Sequence, residues 1–279
     1  DFGIWLDNDE GIGLAHRRLS IIDTSSLGSQ PMESENNRYI IIFNGEIYNF
    51  REIIKNNLYD INFKTNSDTE VILNSYLKFG TKCFDLFEGM FAIAIIDDNL
   101  KKLILSRDVL GVKPLYYIAN NEKINFASEI KSLSQESKEL NIKSLHRYQL
   151  FQTPYEDETL FKNVKKVIPG TILTFSLKNK ITISKKKIKI NKIKFNSFDD
   201  YYVNLSNDFD KILFDSFNSN LDKSFHLSGG LDSNLLVSSY LKFNNYKNDN
   251  CFFVSSFLDG DPQDEIKYVN KTLKRYRIN

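Results

Sequence analysis

Short apolar runs alternate with turn-forming residues through the first two thirds of the chain. Residues 38–43 form one apolar run of strand length. Two further pairs of runs, residues 90–96 with 102–106 and residues 115–119 with 123–127, flank short segments rich in Asp and Asn. Apolar runs of this length on either side of such turn segments predict β-hairpins. The first part of the chain is therefore predicted to be rich in antiparallel β-structure.

A helix is predicted over residues 71–77, within this β-rich part. The preceding segment Ser67-Asp68-Thr69-Glu70 matches a capping box, in which the side chains of Ser67 and Glu70 satisfy backbone N–H groups. Gly80 lies where the helix should end, because glycine readily adopts the left-handed conformation of a helix terminus. The pattern predicts a helix bounded at both ends.

The pattern changes in the last third of the chain. Lys185-Lys186-Lys187 indicates an edge strand, where lysines discourage pairing with other chains. Apolar residues then recur at helical spacing over residues 198–217, and helical segments are predicted at 234–241 and 265–273. A strand is predicted at 251–256. Strands that alternate with helices predict a parallel sheet.

These patterns predict two domains of different class, which agrees with a length of 279 residues. Residues 1–192 are expected to form an α+β domain and residues 199–279 the start of an α/β domain. Residues 193–198 are expected to link them.

Composition and charge exclude several kinds of protein. Hydrophobic residues make up 41% and charged residues 26% of the chain, as in globular proteins, and the formal net charge is +1. A net charge so close to zero does not indicate overall electrostatic attraction to nucleic acid or to an anionic membrane surface. The longest apolar run, residues 91–96, is too short to span a bilayer. With no leader-like start, the cytoplasm is the default location. Cys83 and Cys251 lack metal-ligand spacing, and Cys83 is expected in a buried short helix.

The segment Ser228–Ser233 carries the clearest chemistry. A short apolar run precedes it and a helical pattern follows it, so it predicts a glycine-rich turn at a helix N-terminus. Exposed N–H groups and the helix dipole favour an anion there. Asp232 fits an anion site only if a cation joins it, which implies Mg²⁺ bound to phosphate. The lysine of a Walker A loop is absent. The segment resembles the pyrophosphate loop of enzymes that split ATP into AMP and pyrophosphate.

The N-terminal part has a second set of motifs. Taken singly, each has an ordinary structural explanation, because Arg18 could be a surface cation, Asn44-Gly45 a turn and Asp68 part of a helix cap. Taken together and in this order, with the pyrophosphate loop behind them, they resemble the glutamine-dependent asparagine synthetase family. The motifs are His16–Asp23, Asn44–Asn49, Ser67-Asp68, Arg107–Tyr117 and Phe126–Leu133.

The resemblance implies a fold and an activity. It implies an N-terminal-nucleophile type α/β/β/α sandwich, which hydrolyses glutamine to glutamate and ammonia. A truncated parallel α/β domain, similar to adenine nucleotide hydrolases, would follow it. That domain uses ATP and Mg²⁺ to adenylate aspartate, and ammonia then displaces AMP to give asparagine. The resemblance is compatible with a homodimer.

The resemblance also implies roles for particular residues. Asn44 and Gly45 would donate hydrogen bonds to an oxyanion, as the chemistry of amide attack requires. Arg18 offers a fork for the substrate carboxylate, while Asp68 and Glu46 suit its ammonium group. The remaining implied residues are Leu19, Ser20, Ile21 and Ile22 along the glutamine pocket, Leu227 and Ser255 at the adenosine, Ser228, Gly229, Gly230, Leu231, Asp232 and Ser233 at the pyrophosphate, and Asp232 also at Mg²⁺.

The family nucleophile is a cysteine at the N-terminus of the mature chain, whereas residue 1 here is Asp. The matching start is therefore expected a few tens of residues upstream, and the 279-residue chain is expected to be an inactive fragment. Cys83 is not expected to replace the nucleophile, because in the family the amine and the thiol belong to one terminal residue. Two alternatives remain open: a related amidotransferase that activates a different carboxylate, and a non-enzymatic nucleotide-binding scaffold.

Overall fold

The computed structural model of the chain describes residues 1–133, 138–176, 182–189, 193–217, 221–244, 251–256 and 264–278. The chain divides into two compact units, Asp1–Asn191 and Lys192–Asn279. Each unit has its own hydrophobic core, and each is described separately below.

The first unit combines antiparallel sheets with helices. Its helices are α1 (Phe50–Asn57), α2 (Asp68–Phe79) and α3 (Ile142–Phe151), with 3₁₀ turns at Ser26–Gly28, Gly80–Leu86 and Ile130–Ser132. Its strands are β1 (Phe2–Asp7), β2 (Ile12–Arg17), β3 (Met32–Glu33), β4 (Tyr39–Ile47), β5 (Gly89–Asp97), β6 (Lys102–Arg107), β7 (Tyr116–Ala119), β8 (Ile124–Ala127), β9 (Lys165–Lys166), β10 (Thr171–Ser176) and β11 (Thr182–Lys187).

A six-stranded sheet in the order β11-β10-β6-β5-β4-β3 forms the centre of this unit. All its described pairs are antiparallel, and the hairpin predicted around residues 97–99 joins β5 to β6. The lysine-rich strand β11 lies at one edge, as predicted from Lys185–Lys187. Two smaller antiparallel sheets, β1-β2 and β8-β7-β9, complete the unit, and the predicted hairpin of β7 and β8 is confirmed.

Both faces of the large sheet are buried, which explains why its strands are continuous apolar runs rather than alternating ones. Ile41 and Ile93 belong to a core formed with α1, α2 and the turn Gly80–Leu86. Ile40 and Ala94 belong to a second core, formed with residues of β2 and β7. The unit therefore has a helical layer, the large sheet and a layer of small sheets. A second outer helical layer, and with it the full α/β/β/α sandwich, stays a prediction.

The start of α2 differs from the predicted capping box. The Ser67 hydroxyl does cap the helix, by accepting the Thr69 N–H at 3.2 Å. However, the Glu70 carboxylate accepts the N–H groups of Lys64 and Thr65, at 2.9 and 2.7 Å, instead of turning back to Ser67. The preceding loop folds over the helix end and offers these donors, so the capping-box pairing was wrong. The predicted end at Gly80, with φ of 56°, is confirmed.

The second unit alternates helices and strands: α4 (Phe198–Phe217), β12 (Lys223–His226), α5 (Leu231–Phe243), β13 (Cys251–Val254) and α6 (Ile266–Tyr276). Strands β12 and β13 pair in parallel, as the alternation predicted. Phe225, Val237 and Val269 belong to one buried core that joins β12 to α5 and α6. The loop after β12 leads directly into α5 and therefore lies at the N-terminus of that helix.

Candidate functional sites

A cavity of about 950 Å³ in the first unit collects the residues predicted to bind glutamine. Its wall includes the loop after β2, the end of β4, the start of α2 and the end of β8. All nine predicted residues line it, namely Arg18, Leu19, Ser20, Ile21, Ile22, Asn44, Gly45, Glu46 and Asp68. The structure thus brings together residues that are up to 50 positions apart in the sequence.

The Arg18 guanidinium is almost fully used by acceptors of the chain itself. Its Nε and Nη2 donate to the two carboxylate oxygens of Asp1, at 3.1 and 2.8 Å. Nη1 donates to the Asp23 carbonyl at 3.1 Å, and Nη2 also donates to the Ser25 carbonyl at 2.7 Å. Four of the five N–H donors of arginine therefore have acceptors, and one on Nη1 remains. The bidentate side of the fork faces the carboxylate of Asp1, and binding of a substrate carboxylate stays a prediction.

Asn44 and Gly45 lie near the end of β4. The Asn44 amide nitrogen is 3.5 Å from the Ser128 hydroxyl, a long contact that leaves the amide able to turn to another acceptor. Gly45 has φ of +149°, and a Cβ atom there would lie 2.0 Å from the Met90 carbonyl oxygen. Only glycine fits this close approach of β4 and β5. The turn considered for Asn44-Gly45 is absent, because both residues continue the strand.

Glu46 and Asp68 place two carboxylates on the cavity wall. Asp68 is buried, and one of its oxygens accepts the Ile47 N–H at 3.0 Å. Burial raises the pKa of Asp68 to about 6, the Ile47 bond opposes this rise, and the Glu46 charge adds to it. Burial also raises the pKa of Glu46, against the opposing effect of Lys113. A cation placed beside this pair would favour the ionised form of both groups.

The loop residues 19–22 differ in exposure. The Leu19 side chain is 84% exposed, so it contributes to the cavity mainly at its rim. Ser20 and Ile21 are half-buried, and Ile22 packs against the core beneath the helices. The next residue, Asp23, is buried and also lines the cavity.

The cavity wall includes residues that the predicted set did not contain. Among them are His16, Asp23, Lys113 and Ser128. All four belong to motifs that were identified in the sequence. The motifs therefore marked these segments, but they assigned no role to these four residues. The His16 Nδ1 atom is buried with no hydrogen-bond partner among the described residues.

Arg107 and Asp108 shape the loop that carries Lys113. The Arg107 guanidinium donates to the carbonyls of Lys113 and Gly111, both at 2.6 Å, and to that of Val167 at 2.9 Å. The Asp108 carboxylate accepts the Lys113 N–H at 3.0 Å and is 1% exposed. These bonds fix the loop backbone and so hold Lys113 at the cavity, where its charge acts on Glu46.

In the second unit, the predicted pyrophosphate loop lies between β12 and α5. Helix α5 begins at Leu231, so the loop's last three residues form its first turn, three residues earlier than the sequence indicated. The hydroxyls of Ser228 and Ser233 are 2.9 Å apart, and the Ser233 hydroxyl accepts the Ser228 N–H. The Gly230 N–H donates to the Ser228 hydroxyl at 3.2 Å. The loop is therefore held by its own hydroxyls.

Two carboxylates lie at this loop. The Gly229 N–H donates to the Glu265 carboxylate at 3.0 Å, and the Glu265 side chain lies against the Gly229 backbone. Asp232, in the first turn of α5, is exposed. No group of three or more His, Cys, Asp or Glu side chains able to hold a metal ion occurs among the described residues.

Leu227 and Ser255, predicted at the adenosine, line one small cavity of about 250 Å³ in the second unit. Leu227 is buried and its N–H donates to the Val254 carbonyl at 2.9 Å. Ser255 is exposed and follows β13 directly. The topology thus brings these two residues together at the ends of the parallel strands.

The two cysteines lie outside the glutamine cavity. Cys83 is fully buried, and burial raises the pKa of its thiol well above the usual range. Cys251 lines the small cavity of the second unit. Within the described parts of the chain, no helix has both the length and the apolar character needed to cross a bilayer.

Comparison with known proteins gives the family. Residues 1–187 match the glutamine amidotransferase domain family. The chain is 39% identical, over 85% of its length, to asparagine synthetase [glutamine-hydrolyzing] 1 of Bacillus subtilis (strain 168), and 35% identical, over 61% of its length, to amidase chry2 of Gibberella zeae. It spans 38% of the length of the first and 25% of the second.

Among solved structures, one match is the glutamine phosphoribosylpyrophosphate amidotransferase of B. subtilis, complexed with ADP and GMP. The match covers 90% of this chain and 52% of the chain of that enzyme. The sequence identity is 16% and the TM-score is 0.45. The family match itself covers more than half of the chain and includes the whole cavity described above. The chain belongs to the glutamine amidotransferase domain family.

Proposed function

We propose that the first unit binds glutamine and takes part in hydrolysis of its side-chain amide to glutamate and ammonia. One observation carries this proposal. A single cavity has a guanidinium, two carboxylates and a strand-end amide on its wall, from Arg18, Glu46, Asp68 and Asn44. These are the groups that complement the carboxylate, the ammonium and the reacting amide of glutamine.

The proposed contacts follow from the charges. The glutamine carboxylate takes the remaining Nη1 donor of Arg18, or replaces the Asp1 carboxylate on its bidentate side. The ammonium group lies between Glu46 and Asp68 and lowers the pKa of both carboxylates. Opposite charges in a partly buried cavity attract more strongly than in bulk water, so both ends of the ligand contribute to affinity.

The proposed chemistry is attack of a thiolate on the amide. The Asn44 amide and the Gly45 N–H would donate to the oxyanion that forms, in an arrangement that the rigid strand β4 prepares in advance. Neither Cys83 nor Cys251 supplies the thiol, because neither lines the cavity. The proposed fold is the N-terminal-nucleophile sandwich, whose nucleophile is a terminal cysteine.

We propose that the second unit, an adenine nucleotide hydrolase-like domain, binds ATP and uses the ammonia to make an amide. Ser228–Ser233 would hold the pyrophosphate, while Leu227 and Ser255 would contact the adenosine. The names of the asparagine synthetase relatives support aspartate as the carboxylate that is adenylated. A cytoplasmic enzyme that assembles as a homodimer fits this proposal.

Mg²⁺ fits the loop residues as a partner of phosphate. The loop offers one carboxylate, Asp232, beside backbone donors at a helix N-terminus. Mg²⁺ is commonly held by one or two carboxylates together with substrate phosphates and water, so one carboxylate suffices. Bound Mg²⁺ would neutralise the charge that develops on the departing pyrophosphate.

Glutamine binding to the 279-residue chain tests the proposed function without requiring turnover. We expect saturable heat of binding in isothermal titration with glutamine, and at least tenfold weaker binding of asparagine, whose shorter side chain cannot span the same groups. Arg18→Ala should remove this binding, whereas Arg51→Ala, on the exposed surface of α1, should leave it unchanged. Equal affinity of the two arginine variants, or no binding to the unsubstituted chain, would refute the proposal.

A further inference from the structure

We propose that Asp23 is a positioning residue that holds the two ends of the glutamine cavity, Arg18 and Asp68, at a fixed separation. The inference rests on the proposed glutamine site and goes further, because Asp23 need not touch the ligand. It concerns the distance between the group that recognises the carboxylate and the group that recognises the ammonium.

Every oxygen of Asp23 takes part in the link. Its carbonyl accepts the Arg18 Nη1 donor at 3.1 Å. One carboxylate oxygen accepts the Ser25 N–H at 2.8 Å, and the other accepts the Asn66 N–H at 2.9 Å. Asp23 is 8% exposed, and all three of these bonds are partly buried. One residue therefore contacts both the arginine and a segment 43 positions away.

The distant end of the link leads directly to Asp68. Asn66 is followed by Ser67, whose hydroxyl caps α2, and Asp68 is the first residue of that helix. Asp68 in turn accepts the Ile47 N–H at the end of β4. The position of Asp68 is thus fixed on one side by the strand and on the other by the segment that Asp23 holds.

The near end of the link fixes Arg18. The Asp23 carboxylate holds the Ser25 backbone, and the Ser25 carbonyl accepts Arg18 Nη2 at 2.7 Å. Two of the acceptors that orient the guanidinium therefore depend on this residue, namely its own backbone carbonyl and the carbonyl of Ser25, whose N–H its carboxylate accepts. Without this carboxylate, Arg18 and the α2 segment would be free to move independently of each other.

The link requires a carboxylate rather than an amide. Burial alone would raise the pKa of Asp23, but hydrogen bonds from Ser25 and Asn66 outweigh it and hold the pKa below its usual range. Both oxygens accept from backbone N–H groups, so an asparagine would turn an NH₂ donor towards one of these donors. That contact between two donors breaks one of the two carboxylate bonds, although the substitution barely changes the volume of the side chain.

The test compares glutamine with two ligands that each lack one end. 4-Carbamoylbutanoate has the carboxylate and the amide but no ammonium, and 4-aminobutanamide has the ammonium and the amide but no carboxylate. In the unsubstituted 279-residue chain, glutamine should bind far more tightly than either. In Asp23→Asn, we expect the dissociation constant of glutamine to rise about tenfold or more, with less than about a threefold change for each single-ended ligand.

Two further variants separate positioning from general damage to the fold. Asp85→Asn neutralises another carboxylate that accepts a backbone N–H, that of Lys189 at 2.8 Å, outside the cavity, and should leave all three affinities unchanged. Asp23→Glu keeps the charge but displaces the carboxylate by one methylene, and should reproduce the selective loss for glutamine if Asp23→Asn fails to fold.

The outcomes distinguish the two proposals. Equal weakening of all three ligands, or no weakening of any, would show that Asp23 does not set the separation while the glutamine site stands. An unsubstituted chain that fails to bind glutamine would refute the site itself, and the positioning role with it.

Discussion

The backbone N–H of Gly229 donates to the carboxylate of Glu265, at 3.0 Å, at the start of the loop proposed to hold pyrophosphate. Glu265 lies directly before α6, and its side chain lies so close to Gly229 that a Cβ atom there would be 2.7 Å from the Glu265 Cβ. A negative group of the chain thus takes one of the donors of an anion loop. An incoming phosphate must displace the Glu265 carboxylate from this N–H group or bind beside its negative charge.

Glu265→Gln should therefore increase the affinity of the loop for pyrophosphate. Glutamine keeps an oxygen that can accept the Gly229 N–H, but it removes the negative charge beside the anion. We expect the dissociation constant of inorganic pyrophosphate with Mg²⁺, measured by titration calorimetry, to fall about three- to tenfold at low salt. The difference should shrink as ionic strength rises, because exposed charges are screened.

Asp210→Asn serves as the matched control for this prediction. Asp210 is a carboxylate of the same unit that pairs with Lys242 on the surface of α5, at 3.2 Å. Its neutralisation should leave pyrophosphate affinity unchanged. An affinity that drops in Glu265→Gln would show instead that the Glu265 charge assists binding, for example through Mg²⁺.

Asp68→Asn should stabilise the first unit in a pH-dependent way. The folded pKa of Asp68, about 6, lies above its ordinary value of 3.8, so folding favours the protonated form. The resulting cost to stability is absent below about pH 3.8, grows as pH rises through 6 and then stays constant. Asparagine can still accept the Ile47 N–H. The stability gain should therefore reach on the order of 2–3 kcal/mol above pH 7 and vanish near pH 4.

Urea unfolding followed by fluorescence measures this gain. The chain has one tryptophan, Trp5, which packs partly buried against the core beneath the small sheets, so its emission reports on the first unit. Asp60→Asn, an exposed position paired with Lys78, is the control and should show no gain that rises with pH. A constant difference between Asp68→Asn and the unsubstituted chain from pH 4 to 8 would contradict the predicted titration.

Gly45→Ala should disrupt the pairing of β4 with β5. The added methyl would lie 2.0 Å from the Met90 carbonyl oxygen, which is backbone and cannot turn away. We expect a loss of more than about 3 kcal/mol of stability, or failure to fold. Gly11→Ala separates this clash from conformational strain, since Gly11 also has positive φ but open space around it. It should cost only about 1 kcal/mol.

Arg107→Lys should destabilise the loop that carries Lys113. A lysine keeps the charge but cannot form the three bonds that the guanidinium makes to the carbonyls of Lys113, Gly111 and Val167. We expect a loss of about 2–3 kcal/mol in the same unfolding assay, because three partly buried carbonyls lose their donors. Arg51→Lys on the exposed face of α1 should change stability by less than about 0.5 kcal/mol.

Much of the fold could be predicted because the strongest signals are local. The helix predicted over residues 198–217 is α4, and the predicted hairpin of β5 and β6 is present. The strands β1 and β2 escaped prediction. The apolar residues Phe2, Ile4 and Leu6 of β1 are more than 60% exposed, so the strand lacks a clear buried run. The hydrogen-bond partners of Glu70 also escaped prediction, because they come from a loop whose path the sequence does not reveal.

The candidate site could be predicted as a set of residues but not as a network. The motifs pointed to Arg18 and Asp68, and both line one cavity, while their roles stay predictions. The Asp1 carboxylate reaches Arg18 only because β1 pairs with β2 in the register that sets Phe2 opposite Arg17. Glu265 reaches Gly229 only through the parallel pairing that brings α6 to the loop. Such contacts depend on register, which composition and motif spacing do not encode.

Strand β4 continues without interruption from the core into the cavity. Ile41 and Phe43 are buried in the core, and Asn44, Gly45 and Glu46 follow in the same strand, paired with β5 throughout. The backbone of this wall cannot open locally without separating β4 from β5. In native-state hydrogen–deuterium exchange, its paired amides should therefore exchange as slowly as those of the core, through opening of the entire sheet.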